Sequence, residues 1–115
     1  MKIRNEQIAG LDQAVEARRK QEFTDRLRLE YPGRASEWGN ERLAKHVDEG
    51  YANARDLEIA DYRSIYRFLA LGMLPPETLN DPKIQSSMIR ILNNLNMTGE
   101  RRLDFIDRHV LRRMP

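Results

Sequence analysis

Apolar residues recur along this chain at intervals of three and four, and no run alternates apolar with polar far enough to make a strand. The spacing predicts an all-α protein, an irregular bundle of about five helices in a single domain spanning residues 1–115. The first helix is expected over about Asn5 to Glu30. Ile8, Leu11, Val15, Phe23 and Leu27 form its inner face, interrupted by the basic run Arg18, Arg19 and Lys20. Pro32 and Gly33 end it, because proline restricts Tyr31 and cannot donate to the hydrogen-bond ladder. Ser36 or Asn40 then caps a second helix, with Leu43, Val47, Tyr51, Ala54 and Leu57 as its inner stripe. Asp61 caps a third, whose apolar set from Tyr62 to Met73 runs nearly all round. A helix of that kind belongs near the centre, with neighbours on several sides. Pro75-Pro76 closes it. Asp81-Pro82 opens a fourth, carrying Ile84, Met88, Ile91, Leu92 and Leu95. Thr98 caps the last, with Leu103, Ile106, Val110 and Met114 on one side.

The stretch EYPGRASEWGNERL, from Glu30 to Leu43, holds the single tryptophan. Two readings are open. In one, Tyr31, Trp38 and Leu43 fold over the junction of the first two helices and seal a thin core, with Gly39 supplying a turn. In the other, the stretch is a binding loop. The corner is the preferred reading.

Composition narrows the function classes. With 40% apolar and 33% charged residues, the chain is too apolar to be disordered and too charged for a membrane protein. The first twenty residues lack the apolar core of a secretory signal, so a cytoplasmic location is expected. The absence of cysteine excludes disulfides, thiolate catalysis and zinc sites built on sulfur. Twenty basic against 18 acidic residues leave a net charge of +2, too small an excess to name a nucleic-acid partner.

No arrangement of residues commits the chain to catalysis, a metal or a cofactor. His46 and His109 lack the i, i+4 partner of a helical metal pair, and read as surface or half-buried side chains. Asp104 and Asp107 stand three apart, and Asp56, Glu58 and Asp61 cluster near a turn. In a chain with 18 acids such pairs arise freely. The glycines stand singly, without phosphate-loop spacing, and the serines have no nucleophile-elbow context. The strongest pattern is basic. Arg101, Arg108 and Arg112 share a face of the last helix with Phe105, flanked by Arg102 and Arg113. Arginine beside an aromatic suits a protein interface and also nucleic acid. The plain alternative is a solvated face whose arginines pair with Asp104 and Asp107.

A larger pattern is carried by Phe23, Leu27, Tyr31-Pro32, Gly39, Leu43, Val47, Gly50, Ala54 and Ile59, which read FxxxLxxxYPxxxxxxGxxxLxxxVxxGxxxAxxxxI. An aromatic third helix ending YRFLALGML and a closing GERRLDFI follow. From about Phe23 to Ile106 the chain resembles small all-helical proteins encoded in bacterial type VI secretion clusters beside PAAR or VgrG spike proteins and their toxic cargo. Where that pattern has Gly-Ile before the third helix, this chain has Glu58-Ile59; where it has Gly-Pro after, this chain has Leu74-Pro75. The matched positions are framework residues, so the resemblance transfers no catalytic residue. It implies a cytoplasmic accessory protein that binds an effector or spike component, as adaptor, chaperone or immunity factor.

The expected function is therefore non-enzymatic protein binding through Arg101, Phe105, Arg108 and Arg112. The first rival is a nucleic-acid-binding regulator that adds Arg18, Arg19 and Lys20. The second is a small hydrolase using Asp104, Asp107 or Glu100.

Overall fold

The computed structural model describes the backbone of residues 5–112 and the side chains of residues 13–112. The protein is all-α. Among the described residues there are six α-helices and one π-helical turn, and no strand. The chain divides into two compact units, Met1–Val47 and Asp48–Pro115.

In the first unit, α1 spans Asn5–Glu30, and α2, Pro32–Asp56, begins after a single intervening residue. That residue, Tyr31, donates its N–H to the Leu27 carbonyl at 2.8 Å and accepts the Ala35 N–H at 2.9 Å. It thus ends one helix and starts the next. Pro32 takes the first helical position, where a missing N–H costs nothing. The second helix consequently opens ahead of the Ser36 or Asn40 start expected from capping residues. The break falls instead at Gly39, whose φ of 80° and ψ of 167° lie in a region essentially reserved for glycine. Asn40 follows that break, and its Oδ1 accepts from Arg28 at 3.2 Å.

Phe23, Leu27, Ala35, Leu43 and Val47 are buried in this unit. Thr24 is buried too, with its hydroxyl donating to the Lys20 carbonyl at 2.8 Å. Val15 departs from the expected inner face and is 46% exposed. Eight residues make about 2.2 turns, so Val15 stands roughly 80° from Phe23 and 120° from Leu27 around the helix. Ile8, Leu11 and Met114 lie outside the residues whose side chains are described.

In the second unit, α2 carries buried Tyr51 and Ala54, then ends in a left-handed cap. Ile59 N–H reaches the Ala54 carbonyl at 2.8 Å and Glu58 N–H the Arg55 carbonyl at 3.0 Å. This is the Schellman arrangement, and it puts Glu58 at φ 59°. The backbone thus takes the glycine conformation without the glycine. Gly50 lies so close to α3, Tyr62–Leu71, that a Cβ would run into the buried Leu69 side chain.

Side-chain caps start three later helices. Asp61 Oδ2 accepts the Ser64 N–H at 3.0 Å and starts α3. Burial pushes the Asp61 carboxyl upward, but the Ser64 hydroxyl and N–H, with Arg63 nearby, outweigh it and leave the group below its ordinary value. Asp81 Oδ1 accepts the Lys83 N–H at 2.9 Å and starts α5, Pro82–Leu92. Thr98 Oγ1 accepts the Arg101 N–H at 3.1 Å and starts α6, Gly99–Ile106. α3 ends earlier than expected, at Leu71 with Gly72 as its cap, so Pro75-Pro76 lies beyond it and opens the short α4, Pro76–Leu79.

Ser64, Ile65, Tyr66 and Leu69 of α3 are buried, and α6 packs against both α3 and α5. Ile84, Met88, Ile91 and Ile106 form a core, with Leu71, Leu79, Leu92, Val110 and Leu111 packed around it. Leu95 is 53% exposed instead of completing the α5 stripe, because the helix has already ended at Leu92 with Asn93 as its cap. Beyond Ile106 the ladder loosens into a π turn over Asp107–Leu111, with Arg112 N–H on the Asp107 carbonyl at 3.0 Å.

Arg102, expected to flank the basic face, is instead 1% exposed. Its Nη1 donates to the Leu92 carbonyl at 2.5 Å, Nη2 to Leu57 at 2.7 Å and Nε to Thr98 at 3.3 Å. Leu57 and Leu92 stand at the C-terminal ends of α2 and α5, where carbonyls lack helical partners and the helix dipole is negative. No carboxylate among the described residues pairs with this arginine. Two helix ends stand in for one.

Replacing Arg102 with methionine keeps the bulk and leaves buried carbonyls unsatisfied. We expect a loss of about 3 kcal/mol. Lysine should recover little of it, since one ammonium cannot address three divergent carbonyls. Urea unfolding midpoints at constant slope check both. Glu58→Gly should raise stability by about 0.5–1 kcal/mol, by removing the left-handed penalty at the α2 cap. The same titration reads it, and an unchanged midpoint would contradict the strained cap.

Candidate functional site

Arginine meets aromatic rings in several places among the described residues; besides Arg55 over Tyr51 at 5.8 Å, two clusters bear on function. The first surrounds Trp38, the last residue before the Gly39 break. Its ring is half-buried. Arg42 lies over it at 4.5 Å from the centroid and Arg34 at 5.8 Å, while His46 meets it edge-on at 5.1 Å. These residues recur at every fourth position, so the neighbours of Trp38 come from its own helical stretch. The cluster is thus built from cation–π and ring contacts within one stretch of chain.

The second cluster opens outward. Met97, Arg101, Asp104, Phe105, Arg108 and His109 line an open groove of about 290 Å³. Thr98 fixes the start of α6, and the 4-4-3 spacing from Met97 to Arg108 lays the lining along one side of the chain. Phe105 is 42% exposed and stacks on His109, with centroids 4.3 Å apart and the rings tilted by 40°. Arg101 and Arg108 are exposed to either side of this pair. Neither has a carboxylate partner among the described residues. Asp104, the one acid in the groove, is held at 2.8 Å by Arg67 of α3, which reduces its repulsion of an incoming anion.

Three of the four residues picked from the sequence therefore meet here: Arg101, Phe105 and Arg108. Arg112 does not line the groove. In the π turn the fifth residue, not the fourth, comes round above the first. Arg112 accordingly sits over Asp107 and pairs with it at 3.1 Å. Sequence reasoning missed Met97 and His109, although their spacing, four before Arg101 and four after Phe105, was available. It also spread the basic face too widely, since Arg102 points into the core. Arg113 lies outside the described residues.

Asp104 and Asp107 are each engaged by an arginine, and no group of three His, Asp or Glu residues among the described residues could hold a metal ion. Nor is any described helix long and apolar enough to cross a membrane. Comparison of the chain with protein-family models, with curated proteins and with solved structures finds no match.

Phe105 and its neighbour Ile106 make opposite predictions. Ile106 is fully buried, and Ile106→Ala should cost about 2–5 kcal/mol. Phe105→Ala should change stability by no more than about 0.5 kcal/mol, as expected for a side chain whose use lies outside the fold. Thermal melts of the two variants decide it, and a large loss on Phe105→Ala would assign that ring to the core.

Proposed function

We propose that this chain is a non-enzymatic binding module for another protein, and that the groove on α6 is its docking face. One observation carries the reading. Two arginines without carboxylate partners among the described residues flank an exposed phenylalanine–histidine stack. A half-exposed aromatic with arginines beside it has the composition of an interface hot spot, where burial on association returns more than it does in the free protein. Of the three acids the hydrolase reading would use, Asp104 and Asp107 are each paired with an arginine and Glu100 is exposed in the first turn of α6, an arrangement that favours binding over acid–base work. The resemblance to proteins of type VI secretion clusters supports a secreted effector or spike protein as the partner, and the cytoplasm as the place of work. Within that reading the chain is an adaptor, a chaperone or an immunity factor.

A nucleic-acid regulator is the second reading, because bases stack on aromatics and arginines meet phosphates. Asp104 inside the groove tells against a phosphate track there. The two readings separate on salt, since each phosphate contact adds steeply to the salt dependence of affinity.

The test is capture by the tagged protein from a bacterium carrying a type VI cluster, with nuclease and moderate salt. A stoichiometric protein should be retained. Arg101→Glu or Arg108→Glu should weaken it by about tenfold or more with the melting temperature unchanged. Arg112→Glu, outside the groove, should have the smaller effect. Unchanged affinity in both groove variants would overturn the assignment, and retention of nucleic acid alone would favour the regulator.

A further inference from the structure

The groove also specifies what kind of surface fits it. We infer that its occupant is an acidic amphipathic helix of the partner, presenting two carboxylates about 10 Å apart with apolar side chains between them. The inference rests on the protein-binding reading and adds to it the chemistry of the partner.

Three features carry it. The first is charge. Arg101 and Arg108 stand at the two ends of the groove's basic face without carboxylate partners among the described residues, and Asp104 is already compensated by Arg67. The local field selects anions, and charges at a rim set specificity and encounter rate more than affinity.

The second is spacing. Arg101 and Arg108 are seven residues apart, about 10 Å along a helix axis. Residues i and i+7 of a partner helix have the same separation. Glutamates there address both guanidiniums at once, while i+3 and i+4 fall over the middle of the groove.

The third is what that middle offers. Phe105, its stacked His109 and Met97 give an apolar and polarisable floor. The space of about 290 Å³ is at the lower limit of small-ligand pockets and open to solvent, so it suits one or two inserted side chains. Apolar anchors at i+3 and i+4 between flanking residues are how a helix reads a groove.

The experiment is a titration of the full chain, followed by amide and arginine Nε signals in NMR spectra. The probe is a blocked, alanine-rich helical peptide of about 15 residues, with glutamates seven apart and leucines at the third and fourth positions between them. Controls carry lysine for glutamate, or the same glutamates moved to the opposite face. A single-stranded oligothymidine is titrated alongside.

The acidic peptide should saturate shifts at Arg101, Phe105, Arg108 and His109, and weaken as salt is raised. The double variant Arg101→Glu, Arg108→Glu should bind it about tenfold or more weakly and should now accept the lysine peptide. Such a charge swap cannot follow from unfolding. Equal binding of the acidic and lysine peptides by the native chain, indifference to the position of the glutamates, or tighter binding of oligothymidine would each overturn the inference. A photoreactive phenylalanine analogue at position 105 keeps the two levels apart. If no peptide binds but the analogue still cross-links a protein partner, the acidic helix is wrong and the docking face stands. If the groove variants leave partner affinity unchanged, both fall.

Discussion

A single buried cation ties together the unit formed by residues 48–115. Arg102 reaches the carbonyls of Leu57, Leu92 and Thr98, which belong to three separate turns of chain. The Leu57 and Leu92 carbonyls lie at helix C-terminal ends, where the ladder has run out, while the Thr98 carbonyl also accepts the Arg102 N–H as the first ladder bond of α6. Removing a full charge from water is expensive, and here the compensation comes chiefly from the Leu57 and Leu92 carbonyls at two helix C-terminal ends. The two needs answer one another. Helix ends that could not be buried alone become buriable, and an arginine that could not be buried alone acquires partners. The exchange ties α6 to the ends of α2 and α5, and α6 also packs against α3.

The same helix then has two chemically opposed sides. Arg102, Leu103 and Ile106 face inward, while Arg101, Phe105 and Arg108 face outward. Arginine occurs on both sides, and its role is decided by what stands opposite. Carbonyls at fixed distances make Arg102 a structural tie. Open space beside an aromatic leaves Arg101 and Arg108 available. One more cation, Arg67, serves the groove indirectly by holding Asp104.

Much of this was legible in the residues. Asp61, Asp81 and Thr98 announce their helices because a short side-chain oxygen satisfies first-turn amides that nothing else reaches. The stripe Leu43, Val47, Tyr51 and Ala54 was readable because a helix facing a core repeats at three and four. What could not be read depends on contacts distant in sequence. The spacing from Arg102 to Ile106 sets Arg102 beside the inner stripe, but the partners that let its charge be buried, Leu92 and Leu57, lie ten and 45 residues earlier. Glu58 in a left-handed cap breaks the usual preference, and only the two backbone bonds closing around it reveal why. Pro32-Gly33 reads as a stop to the first helix. The same proline that ends one helix is well suited to begin another, and residue type alone does not say how soon. Of the site, the arginines and Phe105 were visible as a pattern. Their separation from Arg112 was not, because it turns on a change of helix type.

That change bears on how the chain tolerates altered length. The π turn over Asp107–Leu111 holds one residue more than an α-helical turn, while the residues on either side keep their facing. Arg112 remains over Asp107 as though one position had been added between them. Elsewhere in the helices, loss of one residue would swing all later side chains of that helix by about 100°. Within positions 108–111 the loss would be absorbed by reversion to a regular α-helix, with Arg112 still above Asp107. The end of the basic face thus carries one residue of slack, in the element that presents Arg108 and His109 to the groove.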